Sequence, residues 1–182
     1  MDEIVKAALK KWPNVPHCLG WLALDARGDW YMRDDRVQRA GPFPQVKGSR
    51  IRHDKLIEFI ARNYESDERG CWFFQNGPQR VYVELEAAPL VWRLAWAGGQ
   101  LQMHDHTGRA AEPSTCTPWL DERGRLFLAA APGLGIVHTQ DMIEASRAVE
   151  SGLWLPGEIA FDAMPGRFGY VISPQRLLGQ GH

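Results

Sequence analysis

The chain has 182 residues, of which 45% are hydrophobic and 24% charged, and its formal net charge is −1. These values are typical of a globular protein with one domain or two small ones, and the near-zero charge argues against nucleic acid or an anionic membrane surface as a partner. No apolar run approaches the roughly 18 residues of a membrane-spanning helix, and the N-terminus lacks the apolar region of a secretory signal. The three cysteines are far apart and indicate free thiols, so we expect a cytoplasmic protein.

The first half of the chain predicts short strands and two helices. Apolar residues recur at helical spacing from Ile4 to Trp12, behind Asp2 as a candidate N-cap. The turn Asp25-Ala26-Arg27-Gly28 separates two short strands. The predicted elements are a helix over 4–12, strands at 19–24 and 29–32, a loop over 41–49, a helix over 56–64, and strands at 71–74 and 81–85.

The second half predicts a similar alternation. A hairpin over 91–104 turns at Gly98-Gly99, and the polar loop 109–115 is the best internal boundary. After it we predict a strand pair around 118–128, a Gly/Pro loop at 132–135, a helix over 140–150, strands near 153–161 and 168–172, and a frayed tail over 177–182.

An internal repeat relates the two halves. Short segments of the first half recur in the same order in the second, on matching predicted elements. The matched pairs include 24–28 with 120–124, 51–53 with 136–138, 56–58 with 142–144, 70–72 with 152–154, and 78–81 with 165–168. We therefore predict an α+β protein of two tandem diverged repeats, each a β-hairpin, one helix and further antiparallel strands, packed as one compact unit. The predicted parts are an N-terminal helix over 1–16 and repeat units over 17–108 and 109–182.

A resemblance supports this interpretation. Residues 19–92 carry an ordered series of motifs: Trp21 to Trp30 around the Asp-x-x-Gly turn, Ile51 before a helix, Asp67 to Trp72, and Pro78 to Glu84. In this order the chain resembles an uncharacterised proteobacterial family, a domain of unknown function, over nearly its whole length. It is also distantly similar to a tandem-repeat α+β family for which a signal-transduction role has been proposed. Neither resemblance implies catalytic residues.

The residues shared by both copies are the candidate site residues. Two histidines stand at matching helix starts, two arginines at predicted strand starts, and two tryptophans follow matching glycines; these are His53 and His138, Arg80 and Arg167, and Trp72 and Trp154. Shared residues are either architectural or form paired sites, and the architectural interpretation is favoured, especially for the turn aspartates and glycines. If a ligand site exists, we expect it at the seam between the repeats, where the two arginines would meet an anion between tryptophan walls.

Other chemistries find little support in the sequence. His104-Asp105-His106, Cys116 and His17-Cys18 suggest metal ligands, but no second clean pair completes a zinc site, and a polar turn explains the first motif. No nucleophile elbow is present, and the cysteines lie in contexts typical of core strands. We therefore expect no metal, no cofactor and, on balance, no enzyme.

Three functions remain open from the sequence. The first is a non-enzymatic cytoplasmic module that binds a small molecule or a protein, with signalling as one role and with no nucleic acid and no membrane as partner. The second is an enzyme with its active site at the seam between the repeats. The third is a structural homodimer whose edge strands pair between chains.

Overall fold

The computed structural model describes residues 1–179, and the chain divides into two units. In sequence, unit 2 interrupts unit 1 between the last strand of unit 1 and its C-terminal segment. Unit 1 comprises Met1–Asp25, Asp29–Glu86 and the segment from Tyr170 onward, and unit 2 comprises Ala26–Gly28 and Ala87–Gly169.

Unit 1 is built on a six-stranded sheet. Its strands are β1 (Cys18–Leu24), β2 (Trp30–Met32), β3 (Ser49–Arg50), β4 (Tyr64–Ser66), β5 (Trp72–Asn76) and β6 (Gln79–Leu85), and its helices are α1 (Glu3–Lys11), α2 (Asp35–Ala40), α3 (Asp54–Arg62) and, near the C-terminus, α6 (Pro174–Leu178). The strand order is β3-β2-β1-β6-β5-β4. All neighbouring strands pair antiparallel except β1 and β6, which are parallel.

The two faces of this sheet carry different aromatic layers, because side chains alternate along each strand. On one face, Phe74 of β5 makes an edge-to-face contact with Phe59 of α3, with ring centroids 5.4 Å apart. On the other face, Phe73 meets Tyr82 at 5.8 Å. The Phe73 face also packs against apolar residues of the C-terminal segment, among them Leu178.

The C-terminal segment is tied to unit 1 by Glu84, which is buried on β6. Its carboxylate accepts hydrogen bonds from the Ser173 hydroxyl at 2.5 Å and from the Gln175 amide at 2.9 Å, at the start of α6. The Leu85 amide donates to the Ile172 carbonyl at 2.9 Å. Residues that follow unit 2 in the sequence are therefore part of the structure of unit 1.

Unit 2 is built on a seven-stranded sheet. Its strands are β7 (Leu90–Ala97), β8 (Gln100–Asp105), β9 (Ala110–Ala111), β10 (Thr117–Leu120), β11 (Leu126–Ala130), β12 (Gly133–Val137) and β13 (Gly157–Glu158), and its helices are α4 (Met142–Glu150) and α5 (Met164–Phe168). The strand order is β13-β10-β11-β12-β7-β8-β9, with β12–β7 and β10–β13 parallel.

Two tryptophans fill the interior of unit 2, and each satisfies its indole N–H with a carbonyl. Trp92 of β7 donates to the Leu128 carbonyl at 3.1 Å, and Trp154 donates to the Pro113 carbonyl at 2.9 Å. Gly135 of β12 lies directly against the first indole, since a Cβ there would come within 2.4 Å of Trp92 Nε1. Both indoles are almost fully buried.

The α+β class is confirmed, and most predicted elements are present. Four local predictions are wrong. Residues 133–135 belong to β12, and Tyr64 belongs to β4 and not to the preceding helix. No strand forms over 168–172, since α5 ends at Phe168, and the connection between β2 and β3 contains the helix α2, which the sequence does not predict. Within 153–161, strand structure is confined to β13. Of the predicted frayed tail, Leu177 and Leu178 belong to α6, and residues 180–182 lie outside the described residues.

The repeat prediction agrees with the elements in part. Each unit has a hairpin followed by one longer helix, β1–β2 with α3 and β10–β11 with α4. The further antiparallel strands follow the helix in unit 1, whereas in unit 2 strands β7–β9 precede the hairpin. The predicted boundary near residue 109 therefore differs from the structural division, because β7 pairs with β12 of unit 2 and β8 pairs with β7.

Candidate functional site

The six candidate residues are divided equally between the units. Unit 1 contains His53, Trp72 and Arg80, and unit 2 contains His138, Trp154 and Arg167. Each of the six has contacts within its own unit, and these contacts differ from what the repeat predicts.

In unit 1 the sheet separates Trp72 from Arg80. Trp72 is buried against Tyr64, with ring centroids 4.8 Å apart. The Arg80 guanidinium lies 4.5 Å from the centre of the Phe73 ring. Because Trp72 and Phe73 are consecutive on β5, their side chains leave opposite faces of the sheet. Trp72 is therefore a core residue and not a wall of a site containing Arg80.

In unit 2 the predicted strand start at Arg167 is wrong. Arg167 lies on α5, a helix that Pro165 can begin because an N-terminal helix position needs no backbone donor. Its guanidinium stacks 4.3 Å from the centre of the Trp119 ring. Trp154 is buried and bonded to the Pro113 carbonyl, so these two residues have separate surroundings.

The two matched histidines are both N-caps. The Nδ1 atom of His53 accepts the Leu56 amide at 3.2 Å, at the start of α3. The Nδ1 atom of His138 accepts the Gln140 amide at 3.1 Å, in the 3₁₀ turn that precedes α4. An N-cap satisfies one of the unpaired amides of the first helical turn. The shared histidines therefore have an architectural role in both units.

The turn aspartates are architectural as well, and the same turn occurs four times. In each copy the aspartate Oδ1 accepts the amide N–H of the residue four positions later, and a glycine three positions later has positive φ. The turns begin at Asp25, Asp67, Asp105 and Asp121, and their glycines are Gly28, Gly70, Gly108 and Gly124, with φ of 85°, 78°, 88° and 71°. His104-Asp105-His106 is thus explained by the third turn.

The Asp67 turn borders the best candidate for a ligand site, which we call the arginine cleft. It is a surface opening of about 530 Å³ lined by Ser66, Asp67, Glu68, Arg69 and Arg80. The five polar side chains around it come from the end of β4, the β4–β5 turn and the beginning of β6. The sheet register therefore assembles the cleft from segments that are separate in sequence.

The arginine cleft is lined by two arginines and by two carboxylates, those of Asp67 and the exposed Glu68, so its formal charges balance. Arg69 contacts the Asp67 carboxylate at 3.4 Å, and its side chain is 55% exposed. No carboxylate within residues 1–179 forms an ion pair with Arg80, whose guanidinium rests on Phe73. The Tyr82 hydroxyl donates to Asp67 at 3.0 Å, which leaves this carboxylate committed to the protein.

The pKa values of His17 and Asp67 are both lowered beside the cleft, for different reasons. His17 lies beside the cleft, with its ring edge against Tyr82 at a centroid distance of 5.5 Å. Partial burial, and then the charges of Arg80 and Arg69, lower the pKa of His17. Burial alone would raise the pKa of Asp67, but hydrogen bonds from the Cys71 amide and the Tyr82 hydroxyl outweigh it and lower the pKa.

The three thiols are not activated. Burial raises the pKa of Cys71 and of Cys116 to about 11 in each case, and it also raises the pKa of Cys18. A thiol is nucleophilic as its thiolate, so these cysteines are weak nucleophiles at neutral pH. All three are free thiols.

The part of the chain that the structure describes lacks two further features. Over residues 1–179, no three or more His, Cys, Asp and Glu side chains are grouped so that they could hold a metal ion. In the same range, no helix has the length and apolar character needed to cross a membrane.

The sequence predicts Arg80 as a site residue but does not predict Arg69 or Tyr82, which lie close to it. Arg69 looks like an ordinary polar turn residue, and Tyr82 looks like the outer face of a half-buried strand. A signal does exist: Asp67-Glu68-Arg69-Gly70 repeats the turn pattern of Asp25 and Asp121, which places its arginine at a hairpin end beside the next strand.

The sequence matches the model of one protein family over almost its whole length. DUF2944, a family described as "Protein of unknown function (DUF2946)", matches residues 1–175. The chain belongs to this family. This match confirms the resemblance to a family of unknown function. The family membership indicates no function. No functionally curated protein matches the sequence.

Solved structures of another uncharacterised family are similar to the DUF2944 chain. A DUF1285 family protein from Silicibacter pomeroyi DSS-3 has a TM-score of 0.50 and 13% identity, covering 98% of this chain and 99% of that chain. A DUF1285 family protein from Shewanella baltica OS155 has a TM-score of 0.46 and 16% identity, covering 70% of this chain and 91% of that chain. At such identity the first likeness shows a shared fold alone.

Proposed function

We propose that this protein is a non-enzymatic binding module for a small anionic ligand, held in the arginine cleft of unit 1. The observation that carries the proposal is the pairing of Arg69 with Arg80 around an opening of about 530 Å³, where Arg80 has no carboxylate partner within residues 1–179. The one buried carboxylate there, Asp67, is occupied by Tyr82 and by its own turn.

The chemistry of the cleft favours a carboxylate or a phosphate. A guanidinium presents a planar fork of donors that matches either group, and charge-assisted bonds are the stronger class of hydrogen bond. Stacking on Phe73 restrains the Arg80 side chain, so less side-chain entropy is lost when an anion binds. The tryptophans and Arg167 do not enter the proposal.

Titration calorimetry with inorganic phosphate and with succinate tests the proposal. Loss of one charge-assisted bond costs about 1.5–3 kcal/mol, so we expect Arg80→Gln to weaken binding by roughly 10- to 150-fold. Arg39→Gln is the matched control, because Arg39 is an exposed arginine of α2, outside the cleft. No binding to the wild type, or equal affinity in Arg80→Gln, would overturn the proposal.

The proposal includes a cytoplasmic location and a role in signalling. Three free thiols with raised pKa values are compatible with a reducing compartment. The turn that forms the cleft also bonds to the C-terminal segment, since the Val171 amide donates to the Gly70 carbonyl at 3.0 Å. A bound anion could thereby alter the order of that segment, and hydrogen exchange of the Val171 amide with and without phosphate would measure the effect.

A further inference from the structure

Each unit leaves an apolar groove open between its hairpin and its longer helix. The groove of unit 1 has a volume of about 270 Å³ and is lined by Leu22 and Met32 of the hairpin and by Leu56 and Ile60 of α3, among others. Met32 is 48% exposed, and the neighbouring lining residue Trp21 is 40% exposed. The hairpin and helix of unit 1 therefore do not cover their own apolar surface.

The groove of unit 2 occupies the equivalent position in the repeat. Its volume is about 320 Å³, and its lining includes Leu120 and Leu126 of the hairpin and Met142 of α4, the residue matched to Leu56. Two large apolar side chains that adjoin its lining residues Met142 and Pro156 in sequence are exposed: Ile143 is 74% exposed and Leu155 is 91% exposed. Exposed apolar side chains clustered at a groove mark an interaction surface more often than scattered ones do.

The rims of the two grooves carry opposite charge. Beside the unit 1 groove, Arg52 and Lys55 are exposed, flank the lining residues Ile51 and Leu56, and form no ion pair within residues 1–179. Glu58 of α3 is about half a helical turn from both Leu56 and Ile60 and thus on the other side of the helix. Asp54 lies beside Lys55, and the exposed charged residues Arg52, Asp54 and Lys55 together are net positive.

The unit 2 rim is acidic. Glu150 lines that groove on α4, and Glu158 follows the lining residue Pro156 by two positions. Both are exposed and neither forms an ion pair in the described part of the chain. The basic residue nearest in α4, Arg147, is already paired with Glu144 at 3.3 Å.

From this complementarity we infer that a second copy of this chain covers the two grooves. The basic unit 1 groove of one molecule contacts the acidic unit 2 groove of another and receives the exposed apolar side chains beside it. Ile143 and Leu155 supply side chains to fill the unit 1 groove, and Met32 supplies one for the unit 2 groove. Arg52 and Lys55 then face Glu150 and Glu158, which sets the register. The two surfaces that meet are different. If each of two molecules places its unit 1 groove on the unit 2 groove of the other, the assembly is a closed dimer. If two molecules share only one such contact, further copies add to the free grooves and the assembly is an open chain.

A charge-swap experiment tests this inference, with mass measured by light scattering after size exclusion over a range of concentrations. We expect the wild type to self-associate, and both Arg52→Glu/Lys55→Glu and Glu150→Lys/Glu158→Lys to weaken association at least 10-fold. The chain that combines all four substitutions should regain association, because the charges are complementary again. Leu155→Ser should weaken it by removing an apolar contact.

Matched controls come from α1, whose exposed residues Ile4 and Lys10 line neither groove. Lys10→Glu reverses an exposed charge, and Ile4→Ser removes an apolar side chain that is 77% exposed. Neither should alter association. The inference is overturned if the wild type is monomeric at all concentrations, if these controls weaken association as strongly as the groove variants, or if the combined variant, folded by its circular dichroism and melting temperature, stays as weakly associated as its parents.

Discussion

Replacement of Asp121 by alanine tests whether the turn aspartates hold the hairpins together. Its Oδ1 accepts the amides of Arg123 at 3.0 Å and Arg125 at 2.8 Å, and its Oδ2 accepts Arg125 Nε at 2.7 Å. The amide bonds are worth about 1 kcal/mol each and the charged bond about 1.5–3 kcal/mol. Because such contributions are not fully additive, we expect Asp121→Ala to lower the free energy of unfolding by about 3–4 kcal/mol.

Two further variants separate the carboxylate from the bulk of the side chain. Asp121→Asn keeps an oxygen for the amides but loses the charge that faces Arg125, so we expect a loss of about 2 kcal/mol. Glu122→Gln is the control, since the adjacent side chain is exposed and its amide can still accept from the Phe161 N–H; the expected loss is under about 0.5 kcal/mol. Urea denaturation followed by circular dichroism gives all three values. Equal, small losses for Asp121→Ala and Glu122→Gln would refute the reasoning.

The pH dependence of the same variant supplies an independent check. Burial alone would raise the pKa of Asp121, but hydrogen bonds from Arg125 and Arg123 outweigh it and hold the pKa below its usual value. The unfolded chain thus binds the proton more readily. The stabilisation is complete above the unfolded pKa, near 3.9, and is lost as the pH falls through the folded value. The difference in the free energy of unfolding between wild type and Asp121→Asn should therefore decrease as the pH is lowered from about 5 to about 3.

Three other substitutions probe the core, a cap and the C-terminal segment, each by urea or thermal denaturation. Gly135→Ala should cost about 1–3 kcal/mol, because its methyl group would overlap the Trp92 indole, whereas Gly166→Ala, with no atom within 4 Å of the added carbon, should be neutral or slightly stabilising. His138→Ala should cost about 1–2 kcal/mol by leaving a buried N-cap site unfilled. Burial raises the pKa of Glu84, so the folded state releases this proton at a higher pH than the unfolded chain does. The free energy of unfolding should therefore fall as the pH rises from the unfolded pKa through the folded one, and Glu84→Gln should remove that fall.

The predicted elements that are confirmed depend on local chemistry. The hairpins at Asp25 and Asp121 follow from a side chain that satisfies its own turn and a glycine that adopts positive φ, and both signals lie within five residues. The α3 helix follows from apolar residues at helical spacing behind a cap. Such features need no knowledge of the rest of the chain.

The wrong predictions have long-range causes or weak local signals. Gly133 and Gly135 look like a loop, yet they lie in β12, which pairs with β11 and β7. Residue 135 is a glycine because the Trp92 indole occupies the space that a side chain there would need. The short helix α2 buries none of its residues and thus has no apolar periodicity to reveal it, although Asp34 caps it through the Val37 amide at 2.9 Å. Boundaries of short elements are decided by such contacts.

The arginine cleft also shows why the shared residues were an incomplete guide to function. Residues kept in both copies are those that the common hairpin-and-helix unit needs, and the structure gives the turn aspartates and the capping histidines that role. Arg69 and Tyr82, in contrast, align with Ser151 and Gly169 and have no equivalent in the second copy. A function that only one unit performs should reside in residues that the other unit lacks, so the differences between the copies are the better place to seek a ligand. On this reasoning Arg69→Gln should weaken phosphate binding about as much as Arg80→Gln does, even though only Arg80 belongs to the repeat.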